Sequence, residues 1–460
     1  MGFALTILYL VTYYLNPFTV FGQLAWYHTE VIVAVLVVLF SLPALLRSFL
    51  FKTSQSVAVL GMGAAIFFSI LVTGWFTGAV NALQQFIPNA FAYYLICINC
   101  NTRKKFNILV LMLLGICIFV IYKGAYDLHY GIPPGGIQTK PGDEWNRDAW
   151  DLAHPYILPQ DNDQGEWIFR IRGLAEINDP NDFAQLLVSV IPLLFIFWRP
   201  KKFLRNSLFV LLPVAVLLYG TFLTHSRGSL VALVAMAVVA ARRKIGTLPS
   251  VIIAGGLFVA ATALSFTGGR NMESGEGRMV LWAMSVGLFK SNPIFGVGFG
   301  HASEYLGHTS HNSIMVCAAE LGMFGLYFWA MFLLATMRDT LTFASPDKVA
   351  AGDPDPTDED PWSFSKRMKG KIDQKELIRL GRLLVISFTG FLTTGFFLSR
   401  AFVLTFFLLG GMTEVLYQMG LQRRMIPPRL KLGRVLLYSA PLSIGLILSV
   451  YLLMRVTFLF

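Results

Sequence analysis

The chain has 460 residues, of which 55% are hydrophobic and 14% charged, with a mean hydropathy of +0.61. Soluble domains carry about 25% charged residues, so the composition excludes a large soluble enzyme. The formal net charge of +11 does not point to nucleic acid either. The basic residues are scattered between apolar runs of about 17–20 residues, the length that crosses a bilayer as a helix.

In chain order, candidate spans run at about 3–20, 29–46, 56–73, 81–98, 106–123, 182–198, 206–224, 228–241, 249–267, 313–337, 382–399, 401–420 and 435–456. The pattern predicts an all-α polytopic membrane protein with about 12–13 transmembrane helices. The chain divides into N-terminal spans at 1–123, a loop at 124–181, central spans at 182–267 and a second loop at 268–312. A single span at 313–337, a third loop at 338–381 and C-terminal spans at 382–460 complete it. The clusters Arg47/Lys52, Arg103-Lys104-Lys105, Arg199/Lys201/Lys202/Arg205, Arg242-Arg243-Lys244 and Arg423-Arg424 fall after every second segment. Cytoplasmic retention of Lys and Arg then puts the N-terminus and the 338–381 loop inside, and the loops 124–181 and 268–312 outside. Met1 to Leu5 carry no basic side chain and no small-residue cleavage site follows, so the first segment reads as a retained span.

Two features read as structural. Cys97 and Cys100 form a CxxC without a second pair or a nearby His, and Cys117 and Cys317 lie in apolar segments. All four are expected to be buried membrane cysteines. In the 338–381 loop an acidic half, Asp353 to Asp360, precedes a basic half, Lys366 to Arg382. That is linker composition ending in a basic amphipathic helix against solvent or headgroups.

The chemistry gathers on the outer face. All seven histidines, His28, His129, His154, His225, His301, His308 and His311, fall in outside loops or at outer helix ends, where a side chain that titrates near neutral pH is useful. The few arginines there are equally informative. Arg170 and Arg172 precede Asp179-Pro180-Asn181, Arg227 sits in Thr224-His225-Ser226-Arg227-Gly228, and Arg270 and Arg278 flank a polar stretch. An arginine at an embedded helix end is costly unless paired or ligand-bound. Snorkelling to headgroups suits Arg270, whereas Arg227 and Arg278 stand beside Gly or Ser that let a ligand approach. Gly296-Val-Gly298-Phe-Gly300 lacks the preceding strand of a dinucleotide fingerprint and reads as a loop at the membrane surface. His308 and His311 have a helical spacing compatible with a metal, yet Glu304 is the only nearby carboxylate, so no metal is expected. Glu320, about 13 Å into the bilayer at 1.5 Å per residue, needs an arginine or backbone donors as partner.

The series Arg278, Trp282, Asn292-Pro293, Gly296-Val-Gly298, His311-Asn312-Ser313, Glu320-Leu321-Gly322 and Gly325, with Asp179-Pro180-Asn181 and Ser226-Arg227-Gly228 upstream, resembles the O-antigen ligase/polymerase superfamily. The resemblance covers residues about 170–330. It implies a metal-independent, inverting membrane glycosyltransferase of GT-C-like architecture with extracytoplasmic catalytic loops and no cofactor. Such an enzyme in the bacterial inner membrane takes a glycan from an undecaprenyl-diphosphate carrier on the periplasmic face. The acceptor is lipid A core for a ligase or another lipid-linked glycan for a polymerase. On this resemblance Arg227 and Arg278 handle the diphosphate and His311 is catalytic. Physical chemistry agrees: two guanidinium forks stabilise a diphosphate leaving group, and a neutral His takes the acceptor proton. Arg170, Arg172, His308 and Glu320 are candidates for further substrate contacts. Trp145, Trp150 and Trp167 are candidates for stacking on sugar or for interfacial anchoring.

The first outside loop is longer than a typical ligase requires, which leaves the acceptor open. A pilin-type protein oligosaccharyltransferase is the alternative within the enzymes. A transporter is the alternative outside them, although ionisable residues lie mainly at the membrane edges, Glu320 and Glu414 excepted, rather than at its midplane.

Overall fold

The computed structural model describes residues 1–17, 29–46, 53–132, 147–161, 167–263, 274–350 and 372–458. Each apolar run seen in the sequence is helical through most of its described length: α1 (Gly2–Leu15), α2 (Thr29–Leu46), α3 (Ser54–Leu71), α4 (Phe76–Asn99) and α5 (Arg103–Tyr126) lead the chain. A short helix α6 (Arg147–Ala153) and a hairpin of β1 (Ile157–Asp161) and β2 (Trp167–Ile171) follow. Next come α7 (Pro180–Val190), which tightens into a 3₁₀ turn as far as Phe197, α8 (Phe203–Leu223), α9 (Arg227–Ile245) and α10 (Thr247–Ala263). The last third holds α11 (Ser274–Ser291), α12 (Ala302–Leu306), α13 (Ser313–Ala344), α14 (Gln374–Gly395), α15 (Leu404–Gln422) and α16 (Leu432–Phe458).

Among the described residues eight helices are long and apolar enough to cross a membrane: α3, α5, α7 with its extension, α8, α13, α14, α15 and α16. The chain is an all-α polytopic membrane protein, with a single hairpin among the described residues. The stretch at 268–312, read from the sequence as a loop, contains α11 and α12. Arg278 and Lys290 interrupt its apolar pattern, so hydropathy alone does not mark the helix. Of the 338–381 loop, residues 351–371 lie outside the described residues, as do Arg270, His28 and Trp145, and its two ends belong to α13 and α14. All four cysteines are buried and unbridged.

Helix α13 is the hub, packed against α3, α11, α14, α15 and α16. It is also broken. Gly322 has φ 62° and ψ −160° inside it, a backbone state that only glycine adopts readily. The break frees carbonyls before it and N–H groups after it, which in a membrane must find partners. The segment Pro293–Gly298 supplies them. Val297 and Gly298 donate to the carbonyls of Ala319 and Glu320 at 2.9 and 3.0 Å, and Met323 and Phe324 donate to the carbonyls of Pro293 and Ile294 at 2.8 and 3.1 Å. The approach is too close for side chains: a Cβ on Gly296 meets the backbone of Glu320 at 2.3 Å, and one on Gly322 meets that of Ile294 at 2.4 Å. Thus the glycine run and the Glu-Leu-Gly motif are two halves of one backbone joint.

Candidate active site

Arg227 owes its place to a tight turn. Helix α8 stops at Leu223, His225 takes φ 47°, and Ser226 caps α9 by accepting from the Ser229 N–H. Arg227 is therefore the first residue of a helix, where the macrodipole already favours an anion. The turn is held from the hairpin. Arg170 is 2% exposed, and its Nε donates to the Thr224 carbonyl at 2.7 Å. Its Nη1 donates to Gln160 Oε1 at 2.8 Å and its Nη2 to Asn181 Oδ1 at 2.9 Å. One buried guanidinium thus locks the turn bearing Arg227 to the start of α7, where Asp179 is the cap residue. Arg172 is also buried. It pairs with Asp151 at 2.6 Å and donates to the Pro155 carbonyl, tying the hairpin to α6. Trp150 packs against His154 and Phe169 alongside them.

Arg278 comes from the opposite side. With Trp282 and Ser285 it occupies positions i, i+4 and i+7, one face of α11. Trp282 is buried edge-on against Phe396, with ring centroids 5.3 Å apart. The hydroxyls of Ser285 and Ser310 are hydrogen-bonded at 2.8 Å. This docks α11 against the chain just before His311.

Each residue of the His-Asn-Ser motif has a backbone role as well. His311 has φ 48°, and its N–H donates to Ser399 Oγ at 2.8 Å. Asn312 caps α13, its Oδ1 accepting from the N–H groups of Ile314 and Met315. Ser313 Oγ donates to the Leu398 carbonyl and accepts from the Arg400 N–H. The imidazole is held by a strained turn pinned on two sides.

Arg278 links the three expected site residues. It lies within electrostatic reach of Arg227 and of His311, and Asp179 acts on both Arg278 and His311. Burial, then the charge of Arg278, push His311 below the ordinary histidine range; Asp179 opposes this and His308 adds to it. The imidazole is therefore neutral at neutral pH. Burial and the adjacent Arg227 lower the Arg278 pKa, while Asp179 raises it. Two guanidiniums within electrostatic reach of each other raise the local positive potential, which Asp179 partly offsets.

His308 is exposed beside this group. Glu320 sits behind it, where its carboxylate accepts from the N–H groups of Gly300 and Ala302; of the two partners expected for it, backbone donors are the ones present. Arg400, which sequence reasoning missed, forms an ion pair with Asp182 and lies near Asp179 and Glu176. A lone arginine between two apolar runs looks like a topology signal. Its proximity to the site exists only once α14 and α15 pack against α7 and the start of α13.

A multi-helix membrane protein whose charged and polar residues converge at the ends of several helices is a class, not yet a family. The family is indicated by residues 212–330, which match the family model described as O-antigen ligase. That segment is similar to the O-antigen ligase family. No curated protein and no solved structure matches it. The matched segment holds Arg227, Arg278, His311 and Glu320, and it ends beyond the α13 break. It supports glycan transfer in O-antigen or polysaccharide assembly, with a lipid-linked glycan as donor and a separate acceptor.

Proposed function

We propose that the chain transfers a glycan from undecaprenyl diphosphate to an acceptor hydroxyl at the outer face of the inner membrane, by inversion and without a metal. The convergence of Arg227, Arg278 and a neutral His311 carries this reading. The diphosphate of the donor lies between the two guanidiniums. The acceptor hydroxyl attacks the anomeric carbon from the side opposite the diphosphate, and His311 takes its proton. The bond from the anomeric carbon to the diphosphate oxygen breaks, and the departing undecaprenyl diphosphate carries its electron pair into the field of Arg227 and Arg278. A second cation is needed there because the negative charge on the leaving oxygen grows through the transition state. Arg170 acts at one remove in this scheme, by holding the Thr224 carbonyl and Asn181.

The deciding experiment incubates the purified protein in lipid nanodiscs with a lipid-linked oligosaccharide and each candidate acceptor. A ladder of lengthening lipid-linked chains identifies a polymerase, one shift of lipid A core a ligase, and a glycosylated pilin the protein-directed alternative. Absence of transfer to every acceptor overturns the reading and favours a transporter.

A further inference from the structure

At the end of α13 away from His311, a cleft of about 50 Å³ lies between α9, α14 and Ala344, the last residue of α13. One water needs about 10–15 Å³, so the space suits about four waters or one phosphate group. Three of its lining residues are arginines, and they come from two helices. Arg242 and Arg243 stand in the last turn of α9, and Arg382 belongs to α14. Arg243 donates to the Ala344 carbonyl at 3.3 Å and lies within electrostatic reach of Arg382.

No carboxylate lines the cleft, and among the described residues none of the three arginines forms an ion pair. An acid is present on the same helix, but Glu376 of α14 is taken by Arg103 at 2.7 Å. Cytoplasmic retention of Lys and Arg explains why basic residues stand at this level. It does not explain why the fold gathers three of them around one cleft, since like charges set together cost energy unless an anion joins them. The remaining walls are apolar: Val239 and Ala240 on α9, Val385 and Ile386 on α14. These lie about one helical turn from the arginines, toward the middle of each span. A cationic end that passes into apolar walls matches an amphiphile with an anionic head better than a free ion.

We propose that this cleft binds the phosphate of an anionic phospholipid of the inner leaflet, held by Arg242, Arg243 and Arg382, with its acyl chains along the apolar walls. Basic pockets between transmembrane helices recognise lipid headgroups by this combination. The lipid fastens α9, which begins at Arg227, to α14 and to the end of α13, so it braces the helices that carry the candidate site without touching that site.

Native mass spectrometry of the full-length protein, equilibrated in detergent with equimolar phosphatidylglycerol and phosphatidylcholine, tests this. Wild type is expected to retain phosphatidylglycerol at least about tenfold over phosphatidylcholine, and to melt a few degrees higher when it is present. Arg243→Gln/Arg382→Gln is expected to bring that preference to within about twofold. Ala240→Trp fills the cleft and leaves every arginine in place, and it is expected to lose the preference too, so the result does not depend on how the arginine variant folds. Lys201→Gln/Lys202→Gln, outside the cleft lining, is expected to keep it. A preference that survives both cleft variants, or falls as far in the lysine variant, overturns the site in favour of general surface charge. Displacement of the lipid by soluble glycerol 1-phosphate overturns the role of the apolar walls and with it the lipid. A preference that appears only after Asp353, Asp355, Asp358, Glu359 and Asp360 are neutralised makes that acidic run the occupant and likewise overturns the proposal.

Discussion

Arginines and carboxylates meet at both ends of α13, in two different ways. Near its C-terminal end Arg429 is enclosed. Its Nε donates to Asp339 at 2.8 Å and its Nη atoms grip both oxygens of Glu414, at 3.1 and 2.5 Å. Gln55 donates to Asp339, Gln418 donates to Glu414, and the guanidinium lies 4.1 Å from the Tyr417 ring centroid. Despite burial, the two carboxylates hold the Arg429 pKa above even the ordinary arginine value. Ahead of the N-terminal end, Arg278 and His311 both feel Asp179, one oxygen of which caps the Asn181 N–H, and Arg227 adds a second cation beside Arg278. With Arg338 3.8 Å from Asp339 as its second cation, the first cluster balances its charge within the protein and fastens α3, α13, α15 and the chain after α15 together. The second sets Arg227 beside Arg278 with Asp179 acting on Arg278, and the proposed diphosphate contact rests on that pair of cations.

Substitutions separate the two clusters. His311→Ala is expected to lower glycan transfer by about 10²–10⁴-fold, the usual share of a general base, with membrane insertion and undecaprenyl diphosphate binding preserved. Full transfer by that variant removes His311 from the chemistry. Arg429→Ala is expected to act on the fold instead. Stranding two buried carboxylates costs about 3–5 kcal/mol, read as a fall in thermal stability in detergent, while transfer per folded molecule stays near wild type. An unchanged melting temperature would show that the closed cluster is not structural. Arg227→Ala and Arg278→Ala should each weaken binding of undecaprenyl diphosphate by about 1.5–3 kcal/mol, the value of a hydrogen bond to a charged group, with little change in melting temperature. Intact binding in both assigns the diphosphate elsewhere.

The smallest effect is on pH dependence. If His311 acts as a base, transfer rises with pH until its depressed pKa is passed and is flat above it. Removing the positive neighbour in Arg278→Gln favours the protonated imidazole, so the acid limb moves to higher pH. Asp179→Asn removes the negative neighbour and moves the limb to lower pH. Rate profiles across the acidic range check both signs, and a limb unmoved in either variant dissociates these charges from the base.

Much of this architecture is legible in the sequence because hydropathy and the spacing of Lys and Arg are one-dimensional quantities. Most of the helices follow from them, and so do the ends at which Arg227 and His311 stand; α11, which carries Arg278, does not, because Arg278 and Lys290 interrupt its apolar pattern. Other parts are not one-dimensional. Nothing around Gly322 distinguishes a kinked span from a straight one until Pro293–Gly298 is seen bonding to its exposed backbone. Arg400 looks like a boundary marker. Arg170, a candidate for substrate contact from its sequence position, has its guanidinium in bonds to Thr224, Gln160 and Asn181. Which role an arginine takes depends on what folds around it, and the short hairpin that decides this case is built from only ten strand residues.

The joint between Gly296 and Gly322 bears on engineering. The loop carrying His311 leaves α13 at its Asn312 cap and is tied to the same helix, about two turns further on, through the bonds of Val297 and Gly298 to Ala319 and Glu320. Both ends of residues 299–312 are therefore referenced to one rigid element, as in a closed buckle. Such a loop is a cassette: a segment that keeps the asparagine cap and Ser310, which docks α11, can be exchanged between the two fixed ends.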